Sequence, residues 1–242
     1  MTEQEWQECE DVKEMWYALQ KRTSSWRWST RKARLFSCAC CRRIWSTLKE
    51  QDQRDAVEAA ERAADKQISL KDLTIFHQAT RPIQVGVYEL KFSGGIVYMP
   101  GHKFWLGMNN GQLLCNPGKY ASFPIPWGSP SPTANDCLAL LYYRNSKKKS
   151  LLEQRVQCVL LRDIVGPITL PVLNPAWLTA NDNVVTKLAQ KIYDKRTFGQ
   201  LPKLADALAD VCCKDKLLLD HLRSRGPHAR GCWVVDLLLG KT

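Results

Sequence analysis

Through residues 1–80, apolar positions recur at spacings of three and four between polar faces, the period of amphipathic helices. Thr2 with Glu5 forms a capping box, and Asp11 is placed to cap a second helix that carries Met15 and Leu19. Thr30 is read as the cap of RKARLFSCACCRRIWSTLKE. In that segment Leu35, Cys38, Cys41 or Arg42, Trp45 and Leu48 share a face, and Phe36, Cys40 and Ile44 form a neighbouring stripe. So wide an apolar surface predicts a central helix. Asp52 with Asp55 starts a further helix with Val57, Ala60 and Ala64 inward, and Ser69 with Asp72 starts one through Leu73 and Phe76.

The period changes after Arg81-Pro82. VGVYELKF and GGIVYMPGHKFWLGM are rich in β-branched and aromatic residues and broken by Gly pairs, and Asn109-Asn110-Gly111 is a hairpin-type turn. The segment closes in SFPIPWGSPSPT, a Pro-rich linker that excludes helix. Helix then returns. Thr133 with Asp136 opens CLALLYYRN; Ser150 with Glu153 caps KSLLEQRVQCVLLRDIVG, which Gly166 stops; ITLPVLNPAWLT reads as an extended connector. VVTKLAQKIYDK, LPKLADALADVCC and DKLLLDHLRS are three more amphipathic helices, and a short last one runs from near Pro227 to Gly240. The expected fold is mainly α: a helical-bundle domain formed by residues 1–80 and 133–242, with a small antiparallel β insert at 83–130.

LFSCACCRRIW, LLRDIVG, PAWLT, LADALADVCC and PHARGCWVVDLLLGK, with the MTEQEW start, resemble the signature blocks of a planctomycete-type bacterial protein family without an assigned activity. The resemblance covers about residues 1–75 and 150–242 and implies that the two flanking parts form one domain. In that family an Ala-rich helical stretch is expected where this chain has residues 81–130, so the β insert is a departure.

Composition narrows the class. With 45% hydrophobic and 24% charged residues the chain is neither disordered nor a disulfide miniprotein. It contains no run of 18 apolar residues, and its acidic, polar start is unlike a signal peptide, so a cytoplasmic location is expected. There the ten cysteines are thiols or metal ligands.

Net charge is +11, and the positive residues are clustered. Between Met15 and Lys49 the chain has Lys21, Arg22, Arg27, Arg31, Lys32, Arg34, Arg42, Arg43 and Lys49 and no acid, with Trp26 and Trp28 interleaved. Lys147, Lys148 and Lys149 form a second run beside Arg144. Cations beside aromatics suit phosphate contact and base stacking, whereas a solvated helix face would show the same charges without a ligand. Arg27, Arg31, Lys32 and Arg34 are the residues expected on phosphates. The leading reading is a non-enzymatic nucleic-acid-binding protein, an accessory subunit of a larger nucleoprotein assembly. The alternative is a protein-interaction adaptor docking through Tyr98, Phe104, Trp105, Tyr120 and Trp127 of the charge-poor insert, which could equally be the insert's own buried face.

Cys38, Cys40 and Cys41 lie inside a helix, which suits packed thiols better than a zinc knuckle. Cys212, Cys213, His221, His228 and Cys232 are denser. Packing is the preferred reading here as well, with no cofactor; the alternative is a structural zinc on Cys212, His221, His228 and Cys232, with at most one of the adjacent Cys212 and Cys213 a ligand. No Walker loop, G-x-S-x-G, H-E-x-x-H or G-x-G-x-x-G is present. A third reading, a Cys/His hydrolase, would use Cys232 with His221 or His228 and Asp220 or Asp236. Trp6, Trp16, Trp45, Trp177 and Trp233 are expected in the core.

Overall fold

A computed structural model describes residues 1–21, 28–87, 97–98, 105–109, 112–115, 121, 133–134, 136–137, 147–167 and 169–241. The described residues are mainly helical: α1 (Glu3–Glu8), α2 (Val12–Lys21), α3 (Thr30–Arg43), α4 (Gln51–Ala64), α5 (Leu70–Ala79), α6 (Lys147–Val165), α7 (Pro175–Lys195), α8 (Leu201–Asp210), α9 (Lys216–Arg223) and α10 (Trp233–Leu238). None of these helices is long and apolar enough to cross a membrane.

Local chemistry sets most of the starts. The Thr2/Glu5 and Ser69/Asp72 capping boxes form in both directions, and Asp11 Oδ1 accepts from the Lys13 N–H. Other boundaries differ from the sequence reading. Ser29, not Thr30, caps α3 by accepting from Lys32 N–H. The α4 helix begins a residue before Asp52, and α6 begins at Lys147, so Ser150 is interior. PAWLT is helical because Asn174 accepts from Ala176 N–H with Pro175 at the first helical position. The chain then breaks at Ala180–Asn183, where Asn181, Asp182 and Asn183 are all left-handed, and resumes as helix to Lys195. The last helix starts at Trp233, since Gly226 and Gly231 take positive φ in the connection before it.

Two apolar clusters fill the interior. One joins Trp6, Met15, Trp16, Phe36, Cys40, Ile44 and Val57 to Leu160, Leu161 and Ile164 of α6. The other joins Val185, Ile192, Leu204, Leu208, Leu218 and Leu222 to Trp233, Val234 and Val235 of α10. The α3 helix is central, as its wide apolar surface predicts: its residues from Lys32 to Cys41 are all buried. Among the expected core tryptophans Trp6, Trp16 and Trp233 are buried, and Trp45 and Trp177 pack partly buried at the cluster edges.

Between the helical parts, Ile83–Val87 pairs antiparallel with Gln112–Cys115, which pairs with Trp105–Asn109; Val97 and Tyr98 pair with Leu106 and Trp105. Apart from the buried Ala121 and Thr133, the rest of the expected insert, with its Pro-rich linker, lies outside the described residues.

Candidate functional site

Among the described residues, the start of α3 does not form an exposed basic face. Arg22, Trp26, Arg27 and the side chain of Lys21 lie outside the described residues. Trp28 sits half-buried and edge-on to Trp16, with ring centres 5.2 Å apart, so it is packed and not an open stacking platform. Lys32 and Arg34 are interior, with relative exposures of 5% and 2%; Lys32 Nζ donates to the Val165 carbonyl at 3.2 Å, and burial lowers the Arg34 pKa. Arg31 is taken up by acids from elsewhere in the fold. Its guanidinium donates to Asp236 at 2.5 and 3.1 Å, to Asp65 at 3.3 Å and to the Tyr193 hydroxyl at 2.8 Å, while that hydroxyl donates to Asp65 at 2.6 Å. Burial opposes the Arg31 charge, but the hydrogen bond and charge of Asp236 outweigh it and raise its pKa. Arg31, Lys32 and Arg34 are therefore corrected from phosphate contacts to interior residues: one turn of α3 faces the core on all sides, so its charges are buried with it.

Among the described residues, arginines gather at the other end of α3. Arg42 and Arg43 at the end of α3 open onto a cleft of about 780 Å³ that Arg196, Arg223, Arg225 and Arg230 also line, with Glu61 as its single carboxylate among the described residues. The cleft has an apolar side in Leu35, Leu160, Phe198 and Pro202. Glu61 is buried and bridges Arg42, at 2.7 Å, and Arg196. Arg43 pairs with Glu153 at 3.2 Å, Arg223 with Asp206 at 3.0 Å, and Arg230 with Asp65 at 3.7 Å. Arg225 is exposed and has no ion-pair partner among the described residues. Sequence reading missed Arg196, Arg223, Arg225 and Arg230 because they are spread over the last third of the chain, and only folding brings them to Arg42 and Arg43.

Lys147, Lys148 and Lys149 form the first turn of α6, not a loop, and Lys148 and Lys149 are exposed. Tyr98 and Trp105 lie on paired strands, their side chains outside the described residues, as are Phe104, Tyr120 and Trp127.

Beside the cleft is a buried polar cluster. Asp163 from α6, His221 from α9, and His228 and Cys232 from the connection into α10 place one ligand-type atom each within 4.8 Å of one another, an arrangement able to hold a metal ion. Cys212 is not part of it. That residue is exposed with φ +63°, just past α8, and its place in the expected set is taken by Asp163, which no Cys/His spacing pattern reveals. The connection is irregular up to Cys232, so His228 and Cys232 precede the last helix, whose expected start is near Pro227.

Asp163 Oδ1 lies 3.1 Å from His221 Nε2 and 2.6 Å from His228 Nδ1, and Oδ2 accepts from the Ala229 N–H at 2.9 Å. Burial pushes the Asp163 carboxyl up, but the two histidine hydrogen bonds outweigh it and hold it below the ordinary carboxylate range. Burial lowers His228, and Asp163 more than compensates, leaving its pKa raised. The Trp233 indole N–H donates to His221 Nδ1 at 3.0 Å, which puts the proton of the neutral imidazole on Nε2, facing Asp163 and, at 3.2 Å, Cys232 Sγ.

This is not the geometry of an activated nucleophile. Cys232 has no exposed surface, and burial, with the nearby Asp163 charge, pushes its thiol well above the usual range. One nitrogen of His221 faces both thiol and carboxylate, so no orienting acid holds the opposite ring nitrogen. Asp236 is engaged by Arg31, and Asp220 lies outside the cluster. Cys9, Cys38, Cys40, Cys41, Cys137, Cys158, Cys212 and Cys213 are free thiols, with Cys38, Cys40 and Cys41 packed in the core as expected.

No family model, curated protein or solved structure matches this chain.

Proposed function

We propose that this protein binds nucleic acid, holding the phosphate backbone in the arginine-lined cleft between the end of α3 and the segment from α9 to α10. The observation that carries the reading is the lining itself: among the described residues, six guanidinium groups and a single carboxylate around one concave surface. Guanidinium groups match phosphate oxygens in a two-pronged fashion, and exposed ion pairs such as Arg223 with Asp206 are weak enough to exchange a carboxylate for a phosphate. Phe198 and Pro202 on the same cleft supply an apolar surface for a base. The role remains that of an accessory subunit in a nucleoprotein assembly; the basic surface is moved from the start of α3 to its end. We also read residues 83–130 as one antiparallel insert, which the three strand pairings support, and the free thiols suit the cytoplasm.

The test is fluorescence anisotropy with labelled single-stranded DNA, single-stranded RNA and duplex DNA between 50 and 200 mM salt. Affinity is expected to fall steeply with salt, and Arg223→Ala with Arg225→Ala to flatten the log–log slope by roughly 0.7–0.9 for each phosphate no longer neutralised. Lys148→Ala with Lys149→Ala, away from the cleft lining, should change it less. Absence of binding at low salt, or a slope indifferent to the two arginines, refutes the reading.

A further inference from the structure

Around Asp163 the polar side chains converge closely. His228 Nδ1 sits 2.6 Å from Asp163 Oδ1, and its Nε2 lies 3.3 Å from the Ser224 carbonyl oxygen and 3.2 Å from the Ser224 hydroxyl. A metal ion suits these surroundings. The ligand types are those of zinc sites, a thiol, two imidazoles and a carboxylate, and they come from three separate segments that converge on one point. The outer contacts are those that orient ligands: the Ala229 N–H holds Asp163 Oδ2, and the Ser224 carbonyl holds His228 Nε2.

We propose that Asp163, His221, His228 and Cys232 bind one zinc ion as a closed, four-ligand structural site that ties the end of α6 and the α9 helix to the connection preceding α10. This goes beyond the nucleic-acid reading and does not depend on it. Filling the site changes one contact of His221. With Nε2 on the metal, the remaining imidazole proton moves to Nδ1, where the Trp233 indole N–H now donates. Metal binding and that hydrogen bond exclude each other, so Trp233 shifts when the site fills.

The deciding measurement uses the intact, untagged chain. After chelator treatment, zinc is titrated in competition with a chromophoric chelator, and cobalt(II) is added in parallel as a spectroscopic probe. One equivalent of zinc should bind with a rise in melting temperature, and cobalt should give a thiolate charge-transfer band with the intense visible bands of a tetrahedral centre. Cys232→Ser should remove the charge-transfer band and weaken zinc by at least roughly tenfold, while Cys212→Ser, at an exposed thiol, should change neither. His228→Gln provides a second loss-of-ligand variant, and the wild-type titration decides without either. Saturation well below one equivalent, an unmoved melt, or a charge-transfer band that vanishes with Cys212→Ser but survives Cys232→Ser overturns the site.

Discussion

Arg31 grips Asp236 with both terminal guanidinium nitrogens, at 2.5 and 3.1 Å, across 205 residues of sequence. The pair pins the first turn of α3 to α10, and Asp65 after α4 and Tyr193 on α7 complete the same knot. Both charged side chains are nearly removed from solvent, at 11% and 3% exposure. Burial raises Asp236, and Arg31 only partly offsets this, as expected where desolvation competes with a close ion pair.

Removing one partner from such a pair strands the other charge. Arg31→Ala should therefore lower unfolding free energy by about 3–5 kcal/mol, whereas Arg31→Met combined with Asp236→Leu should recover most of that loss. Urea denaturation of the three proteins checks this. A stable Arg31→Ala chain with weakened nucleic-acid binding would place Arg31 on the surface instead.

The helical part of the fold was legible because its signals are local. Capping boxes at Thr2 and Ser69 and the double apolar stripe of α3 act within a few residues. What the sequence concealed was compensation at a distance. Arg31 and Lys32 look like part of an unopposed basic run because Asp65, Asp236 and the Val165 carbonyl that receive them are remote in the chain. The same limit hid Asp163 from the Cys/His cluster and gathered the arginine cleft from four separate segments.

Thiol reactivity should divide the cysteines sharply. Burial raises Cys38, Cys40, Cys137 and Cys232 well above the ordinary range and pushes Cys158 up to about 12, while Cys212 is exposed. Because the thiolate is the reacting species, brief alkylation of the native protein at pH 8 should label Cys212 ahead of these five, which should react only on unfolding. Peptide mass mapping reads the order, and early labelling of Cys40 would contradict the packing of α3.

Glu153 gives a signed pH dependence. Burial raises its carboxyl, and the attraction of Arg43 only partly offsets this, so the folded chain binds this proton more readily than the unfolded chain. Its charge therefore costs stability as pH rises beyond the ordinary carboxylate range, and that cost is absent in acid. Glu153→Gln should be more favourable relative to wild type at pH 7 than at pH 4, measured by denaturation midpoints. The reverse order would mean that the Arg43 pair dominates.

Gly166 and Gly240 separate backbone strain from crowding. Both take left-handed backbone, with φ +79° and +63°, and each follows the end of a helix. Their surroundings differ. A Cβ at Gly166 would lie 2.8 Å from Trp233 Cγ and 2.9 Å from its Cβ, whereas one at Gly240 would meet nothing within 4 Å. Gly240→Ala should then show the backbone penalty alone, about 1–2 kcal/mol. Gly166→Ala adds a collision with a buried indole at its rigid base, for a further loss of about 1–3 kcal/mol. Because Trp233 donates to His221, the displaced ring should also lose that hydrogen bond, and its indole proton should exchange faster with solvent than in the Gly240 variant. Denaturant melts and hydrogen exchange of the two variants make the comparison. Equal losses, with Trp233 unchanged, would show that the indole yields freely and that α10 is not locked against the end of α6.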